Sequence, residues 1–93
     1  MIRSFRCRDT QRVFYGQPTQ KFPPDLLRRA KAKLLLLDSA TQVEELREPP
    51  SNRLEMLQGD RAGQYSIRVN QQWRIVFDWS DDGAENVEIV DYH

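Results

Sequence analysis

The chain has a single cysteine, a single histidine and no apolar run longer than the four leucines Leu34 to Leu37. Cys7 alone can form neither an intramolecular disulfide nor a cysteine-only metal site, and His93 is the only imidazole, so no structural zinc site is expected. Arg3, Arg6 and Arg8 follow Met1 where a secretory leader needs an apolar stretch, and four leucines cannot span a bilayer. A cytoplasmic protein without a membrane span is expected. Glycine and proline are scarce, four and five, beside 39% hydrophobic and 30% charged residues, which excludes a disordered or collagenous chain. Ninety-three residues suit one domain, 1–93, and exclude a multidomain enzyme.

Net charge is also absent, but the zero conceals segregation. Residues 1–37 carry nine Lys/Arg against two Asp/Glu, while residues 75–93 carry six acids and no Lys or Arg. A neutral total therefore leaves room for a basic surface that meets phosphates. Eleven of the fourteen cations are arginine, whose planar fork grips phosphate and keeps its charge near neutral pH. Surface arginines serving solubility remain the alternative.

Periodicity divides the chain into helices followed by strands. A short strand is expected over 2–7. Asp9-Thr10 can cap a helix running through Phe14 and Tyr15, with Gly16 at its stop. Pro23-Pro24-Asp25 opens a longer helix whose stripe Leu26, Leu27, Ala30, Leu34 and Leu37 faces a sheet, while Leu35 and Leu36 fall off that stripe. They pack on the first helix or form an exposed patch. Thr41-Gln42-Val43-Glu44 fits a capping box, and Pro49-Pro50 ends the short helix it starts. Strands follow over Leu54–Leu57, Gly63–Val69, Trp73–Trp79 and Val87–Tyr92. The class is α+β: two N-terminal helices packed on a twisted, mainly antiparallel sheet of about four to five strands.

Alternation sets the expected registers. Tyr65, Ile67 and Val69 share a face, as do Trp73, Ile75, Phe77 and Trp79, and these stripes assign both tryptophans to the core. A loop of Asn70, Gln71 and Gln72 pairs Val69 with Trp73 and places Arg68 opposite Arg74. A hairpin closed around Asp82-Gly83, with Trp79 against Val87, then brings Tyr92 opposite Arg74. Like charges facing each other at about 5 Å between Cβ atoms are unfavourable. A bound phosphate would turn that repulsion into attraction; pairing of each arginine with Glu55, Asp78 or Glu88 is the alternative. On this reading Arg74→Ala abolishes function with stability level or raised.

The block Asn52-Arg53-Leu54-Glu55-Met56-Leu57-Gln58-Gly59-Asp60-Arg61-Ala62-Gly63-Gln64-Tyr65-Ser66-Ile67-Arg68-Val69, the strand Gln72-Trp73-Arg74-Ile75-Val76-Phe77 and the ending Val87-Glu88-Ile89-Val90-Asp91-Tyr92-His93 resemble the HigB branch of RelE-like bacterial toxins, as does the opening Ile2-Arg3-Ser4-Phe5. The resemblance covers essentially the whole chain. It implies a compact toxin that cleaves messenger RNA in the ribosomal A site, where the ribose 2′-hydroxyl attacks the neighbouring phosphate and the 5′-oxygen leaves. It further implies a helix-turn-helix, HigA-like antitoxin as partner, operator DNA met only through that antitoxin, and no metal or organic cofactor. Arg68 and Arg74 match phosphate-binding arginines, and Asp91, Tyr92 and His93 match a C-terminal catalytic group. Gln58 departs from the family, many of whose members carry lysine there. Glutamine can donate a hydrogen bond but cannot supply charge or act as acid or base near pH 7.

Other cations are candidates for RNA binding. Arg12, Arg28, Arg29, Lys31 and Lys33 on the two helices are expected to meet ribosomal RNA, against the reading of a solvated helix face. Arg53 and Arg61 flank the expected groove, with a turn salt bridge from Arg61 to Asp60 or Glu55 as the alternative. Tyr92 is a strand-end aromatic on its own pattern, and His93, with an unperturbed pKa near 6.5, is the one group suited to proton transfer at neutral pH. Two other readings stay open: a ParE-like toxin that binds DNA gyrase and cleaves nothing, against which the Asp-Tyr-His ending argues, and a catalytically weak copy that binds its antitoxin as a co-repressor.

Overall fold

The computed structural model describes residues 1–81 and 83–91. Two helices, α1 (Arg8–Phe14) and α2 (Pro24–Ser39), precede a four-stranded antiparallel sheet in the order β1 (Glu55–Met56), β2 (Tyr65–Arg68), β3 (Trp73–Ser80) and β4 (Gly83–Asp91). The α+β class is as expected. The anticipated first strand is reduced to two isolated parallel bridges, Ile2 with Ala84 and Phe5 with Val87, along the outer edge of β4. Arg3 N–H donates to the Ala84 carbonyl and Ala84 N–H to that of Met1, so this edge is covered. The main chain of Met1 comes so close to Gly83 that a Cβ there would lie 2.5 Å from its carbonyl oxygen.

Helix α1 begins one residue before the expected cap. Cys7 occupies the N-cap position without a side-chain bond. The Thr10 hydroxyl is buried instead and accepts the Ile89 N–H at 2.9 Å, joining the helix to β4. At the other end Gly16, at φ 71°, donates its N–H to Val13 and Gln17 donates to Arg12, the paired bonds of a glycine-terminated helix. Helix α2 buries Leu26, Ala30, Leu34 and Leu37 in one core with Ile67, Val69, Ile75, Phe77, Val87 and Ile89. Of the two leucines off the stripe, Leu36 packs partly against this core and Leu35 is half exposed. Trp73 packs edge-on against Phe22, and Trp79 against Phe77.

The capping box forms one residue later than expected, with Gln42 as cap and Glu45 as its partner ahead of the turn Val43–Arg47. A second turn, Pro50–Asn52, ends at Arg53 in the left-handed region, φ 46°. This segment carries the chain to the short edge strand β1.

The first hairpin keeps the expected register, Ile67 with Ile75 and Arg68 with Arg74. The second does not. Trp79 pairs with Ala84 rather than Val87, and Arg74 faces Val90 rather than Tyr92. The cause is a bulge where Asn86, at φ 55°, and Val87 together oppose Phe77. Ala84 and Val87 pack into the same core although three residues apart, a spacing that puts them on opposite faces of a regular strand. The bulge reverses the alternation, so a tight loop coexists with Val87 and Ile89 in the core.

Candidate functional site: a cationic cleft beside paired arginines

Arg68 and Arg74 are cross-strand neighbours, but their guanidinium groups part company. Arg74 is only 8% exposed. Its Nε donates to Ser66 Oγ at 2.8 Å, and its Nη2 donates to the Arg53 carbonyl at 2.7 Å and lies 3.7 Å from Glu55 Oε1. Ser66, two residues before Arg68, shares the polar face and is itself fully buried. Arg74 thus binds the Arg53–Glu55 segment to the sheet, and of the acids proposed for it from the sequence Glu55 is in reach. Truncating Arg74 would strip the buried Ser66 hydroxyl and the part-buried Arg53 carbonyl of a charged donor, which overturns the expectation that its loss leaves stability level or raised.

Arg68 turns the other way, its Nε donating to the Asn70 carbonyl at 3.0 Å. Among the described residues it has no ion-pair partner. It lines an open cleft of about 950 Å³ together with Arg29 and Lys33 of α2, Ser51, and residues 69–72 of the β2–β3 turn. Three cations therefore face one space, and no carboxylate lines it among the described residues. Asp91 meets it only at the rim, where its Oδ2 accepts Gln72 Nε2 at 3.0 Å. Asp91 pairs in register with Trp73, so it projects toward the helix side of the sheet, opposite to the Arg74 side.

The structure separates the remaining candidates. Arg28, Arg29 and Lys31 are all exposed, but only Arg29 reaches the cleft; Lys31 Nζ lies over the turn at Gly16. Arg53 enters through its carbonyl while its side chain is exposed. Gln58 is exposed ahead of the turn Gly59–Arg61 and does not line the cleft. Arg61 pairs with Glu88 at 3.6 Å and bonds Gln64, in place of the anticipated Asp60 or Glu55. Tyr92 and His93 lie outside the described residues.

Two participants, Ser66 and Asn52, carry no signal in the sequence strong enough to mark them as site residues, whereas Lys33 is among the cations expected on the RNA-facing helix surface. Ser66 and Asn52 are buried polar residues; Ser66 accepts from Arg74 and Asn52 from Lys33. Lys33 Nζ donates to Asn52 Oδ1, while Asn52 Nδ2 donates to the Leu46 and Glu48 carbonyls, each at 3.1 Å. Burial first, and then the charge of Arg29, holds the Lys33 ammonium below the usual lysine range. The one usable sequence signal is the spacing of Arg29 and Lys33, which puts two like charges on one helix face.

Comparison with known proteins bears on this arrangement. Toxin HigB-1 of Vibrio cholerae is 50% identical over 54 residues, 58% of this chain and 57% of that protein, so the match spans little more than half of that relative. Endoribonuclease HigB of Proteus vulgaris is 33% identical over 93 residues, the full length of both chains. The fold is shared with a YafQ mutant from E. coli, TM-score 0.65 at 14% identity over 98% of this chain and 91% of that one. It is also shared with the YoeB–YefM complex from Staphylococcus aureus, TM-score 0.61 at 18% identity over 100% and 98% of the chains. The family model for the RelE-like toxin of the type II toxin–antitoxin system HigB matches residues 3–93. The chain therefore belongs to the HigB-like family of RelE-like toxins, the toxin half of type II toxin–antitoxin systems, and its partner is an antitoxin.

Proposed function

We propose that this toxin is a ribosome-dependent endoribonuclease that cleaves messenger RNA in the A site. The observation that carries the reading is Arg68, a cation with no ion-pair partner among the described residues, at the mouth of a cleft that two further cations line. Its support from kinship is the full-length relative named as an endoribonuclease.

In the reaction the ribose 2′-hydroxyl loses its proton to a base and attacks the adjacent phosphorus. The bond to the 5′-oxygen breaks, and that oxygen takes a proton from an acid. Negative charge grows on the phosphoryl oxygens in between, and Arg68 stabilises it, with Arg74 adding positive potential from beneath. Asp91, Tyr92 and His93 form the acid/base group, with His93 the member whose ordinary pKa suits both directions of proton transfer near neutrality. Gln58 and Arg61, on the β1 side, and Arg28, Arg29, Lys31 and Arg53 contact RNA backbone. The antitoxin is a helix-turn-helix, HigA-like protein that carries the pair to operator DNA, and the toxin works in the cytoplasm.

Cleavage of a defined message on programmed ribosomes tests this directly, beside a gyrase supercoiling assay. Cleavage by wild type that falls at least about 100-fold in Arg68→Ala is expected, the cost of removing one transition-state donor. Inhibition of supercoiling without message cleavage would overturn the reading.

A further inference from the structure

Arg29 and Lys33 lie one helical turn apart on α2 and face Arg68 across the cleft. Like charges at that spacing disfavour a helix by a few tenths of a kcal/mol, and nothing acidic lines the cleft among the described residues to relieve it. Some basic side chains elsewhere are matched, Arg12 with Asp9, Arg47 with Glu44, and Arg6 and Arg61 with Glu88. Arg29, Lys33 and Arg68 have no ion-pair partner among the described residues and converge on one space.

Lys33 is also held. Asn52 is fully buried, its amide fixed by two backbone carbonyls, and its oxygen takes one N–H of the ammonium. An ammonium has three donors, so two remain for a ligand. A lysine anchored at one N–H loses less freedom when it binds than one on a mobile stem. Its depressed pKa has the same origin: partial burial beside Arg29 without a carboxylate.

We infer that this cleft is a second phosphate subsite, in which Lys33, positioned by Asn52, and Arg29 hold the phosphodiester next to the one at Arg68 along an RNA strand. The ligand chemistry is a phosphodiester monoanion, met by point-charge and fork donors together. The identity of the strand rests on the proposed function; the anion site itself does not. Two sources share the chemistry, the message and ribosomal RNA. Lys33 acts here as a positioning residue, since it holds a non-reacting phosphate.

Nuclear magnetic resonance titration of the full chain with inorganic phosphate, and separately with an all-deoxy trinucleotide that lacks the attacking hydroxyl, tests the site without any cleavage. Saturable shifts at Lys33 and Gln71 are expected, accompanied by a rise in the Lys33 pKa as the anion neutralises its surroundings. Arg29→Gln, an exposed change that leaves Asn52 untouched, should weaken trinucleotide binding at least about tenfold, the cost of one charge-assisted hydrogen bond. Lys33→Gln, whose amide can still donate to Asn52, should do the same, and Lys33→Arg should restore most of it. Equal affinity in wild type, Arg29→Gln and Lys33→Gln, or shifts confined to residues away from α2, would overturn the inference.

Ribosome experiments then identify the source. For the message, Arg29→Gln raises KM on programmed ribosomes and leaves affinity for empty ribosomes unchanged; for ribosomal RNA, affinity for empty ribosomes falls equally. Failure of wild type to cleave any message would remove the proposed function while leaving the phosphate titration intact, so the two failures are separable.

Discussion

Arg74→Ala tests a role that only the structure exposes. The side chain is 8% exposed and donates from Nε to Ser66 Oγ at 2.8 Å and from Nη2 to the Arg53 carbonyl at 2.7 Å. A hydrogen bond with a charged partner contributes about 1.5 to 3 kcal/mol, so losing both costs about 3 to 6 kcal/mol. The Glu55 ion pair, 3.7 Å to a half-exposed carboxylate, adds little. Relief of repulsion from Arg68 works the other way, at about 1 kcal/mol for charges near 5 Å in a water-like dielectric, and less once the two guanidinium groups diverge. The net expectation is a loss of about 2 to 5 kcal/mol, a large share of the 5 to 15 kcal/mol typical of a domain. Urea denaturation followed by tryptophan fluorescence measures it, provided the m-value stays constant. Arg74→Lys, which keeps the charge but not the fork, should recover only part, and Ser66→Ala should be non-additive with Arg74→Ala. An Arg74→Ala protein as stable as wild type would refute the anchoring role. Activity lost in the stably folded Arg74→Lys would then report on the phosphate itself.

Other perturbations follow from particular interactions. Thr10→Val should destabilise by about 1 to 3 kcal/mol, because it leaves the Ile89 N–H buried without its acceptor; a thermal melt equal to that of wild type would remove this link between α1 and β4. Leu34→Ala, at a fully buried position of α2, should cost about 2 to 5 kcal/mol in the same measurement. Glu45 accepts from the Thr41 hydroxyl at 2.6 Å and the Gln42 N–H at 2.8 Å, with the Thr41 bond the main cause of a carboxyl pKa below the usual range. Because the folded pKa is the lower one, its stabilisation is present above the unfolded carboxylate pKa and is lost as pH falls toward the folded value. Glu45→Gln should therefore flatten the acid side of the stability profile, and an unchanged profile would refute the box. Reversing Arg28 and Lys31, exposed residues that do not line the cleft, should flatten the log–log salt slope of ribosome affinity by about 0.7 to 0.9 for each phosphate that these side chains meet. An unchanged slope would remove that flank of α2 from the RNA surface.

Local pattern was sufficient where a side-chain period or a special backbone residue decides the outcome. Of the stripe Leu26, Leu27, Ala30, Leu34 and Leu37, all but the partly buried Leu27 form the buried face of α2, and Gly16 marked the end of α1 through a left-handed conformation that glycine adopts without strain. The first hairpin was readable because two hydrophobic strands can both face the core only in registers of one parity, and the Asn70–Gln72 loop supplies the shortest. That parity argument put Arg68 opposite Arg74, as observed.

Tertiary structure decided what alternation alone does not contain. The bulge at Asn86–Val87 breaks the period-two rule for the second hairpin, placing Val90 opposite Arg74, because Ala84 and Val87 pack into the same core from an odd spacing and an extra residue permits that. Charge counting could not foresee that Arg74 bonds inward to Ser66 and Arg53 while Arg68 opens onto a cleft, since guanidinium direction depends on which acceptors the 49–56 segment brings to the sheet. Nor could sequence join Lys33 to Asn52, nineteen residues away, an adjacency made by the return of the chain beneath α2. Composition and period determined the α+β class, the core stripes and the facing arginines, since these depend on neighbours along the chain. The cationic cleft required the packed fold, because its three charges come from a helix and a strand that only the shared core brings face to face.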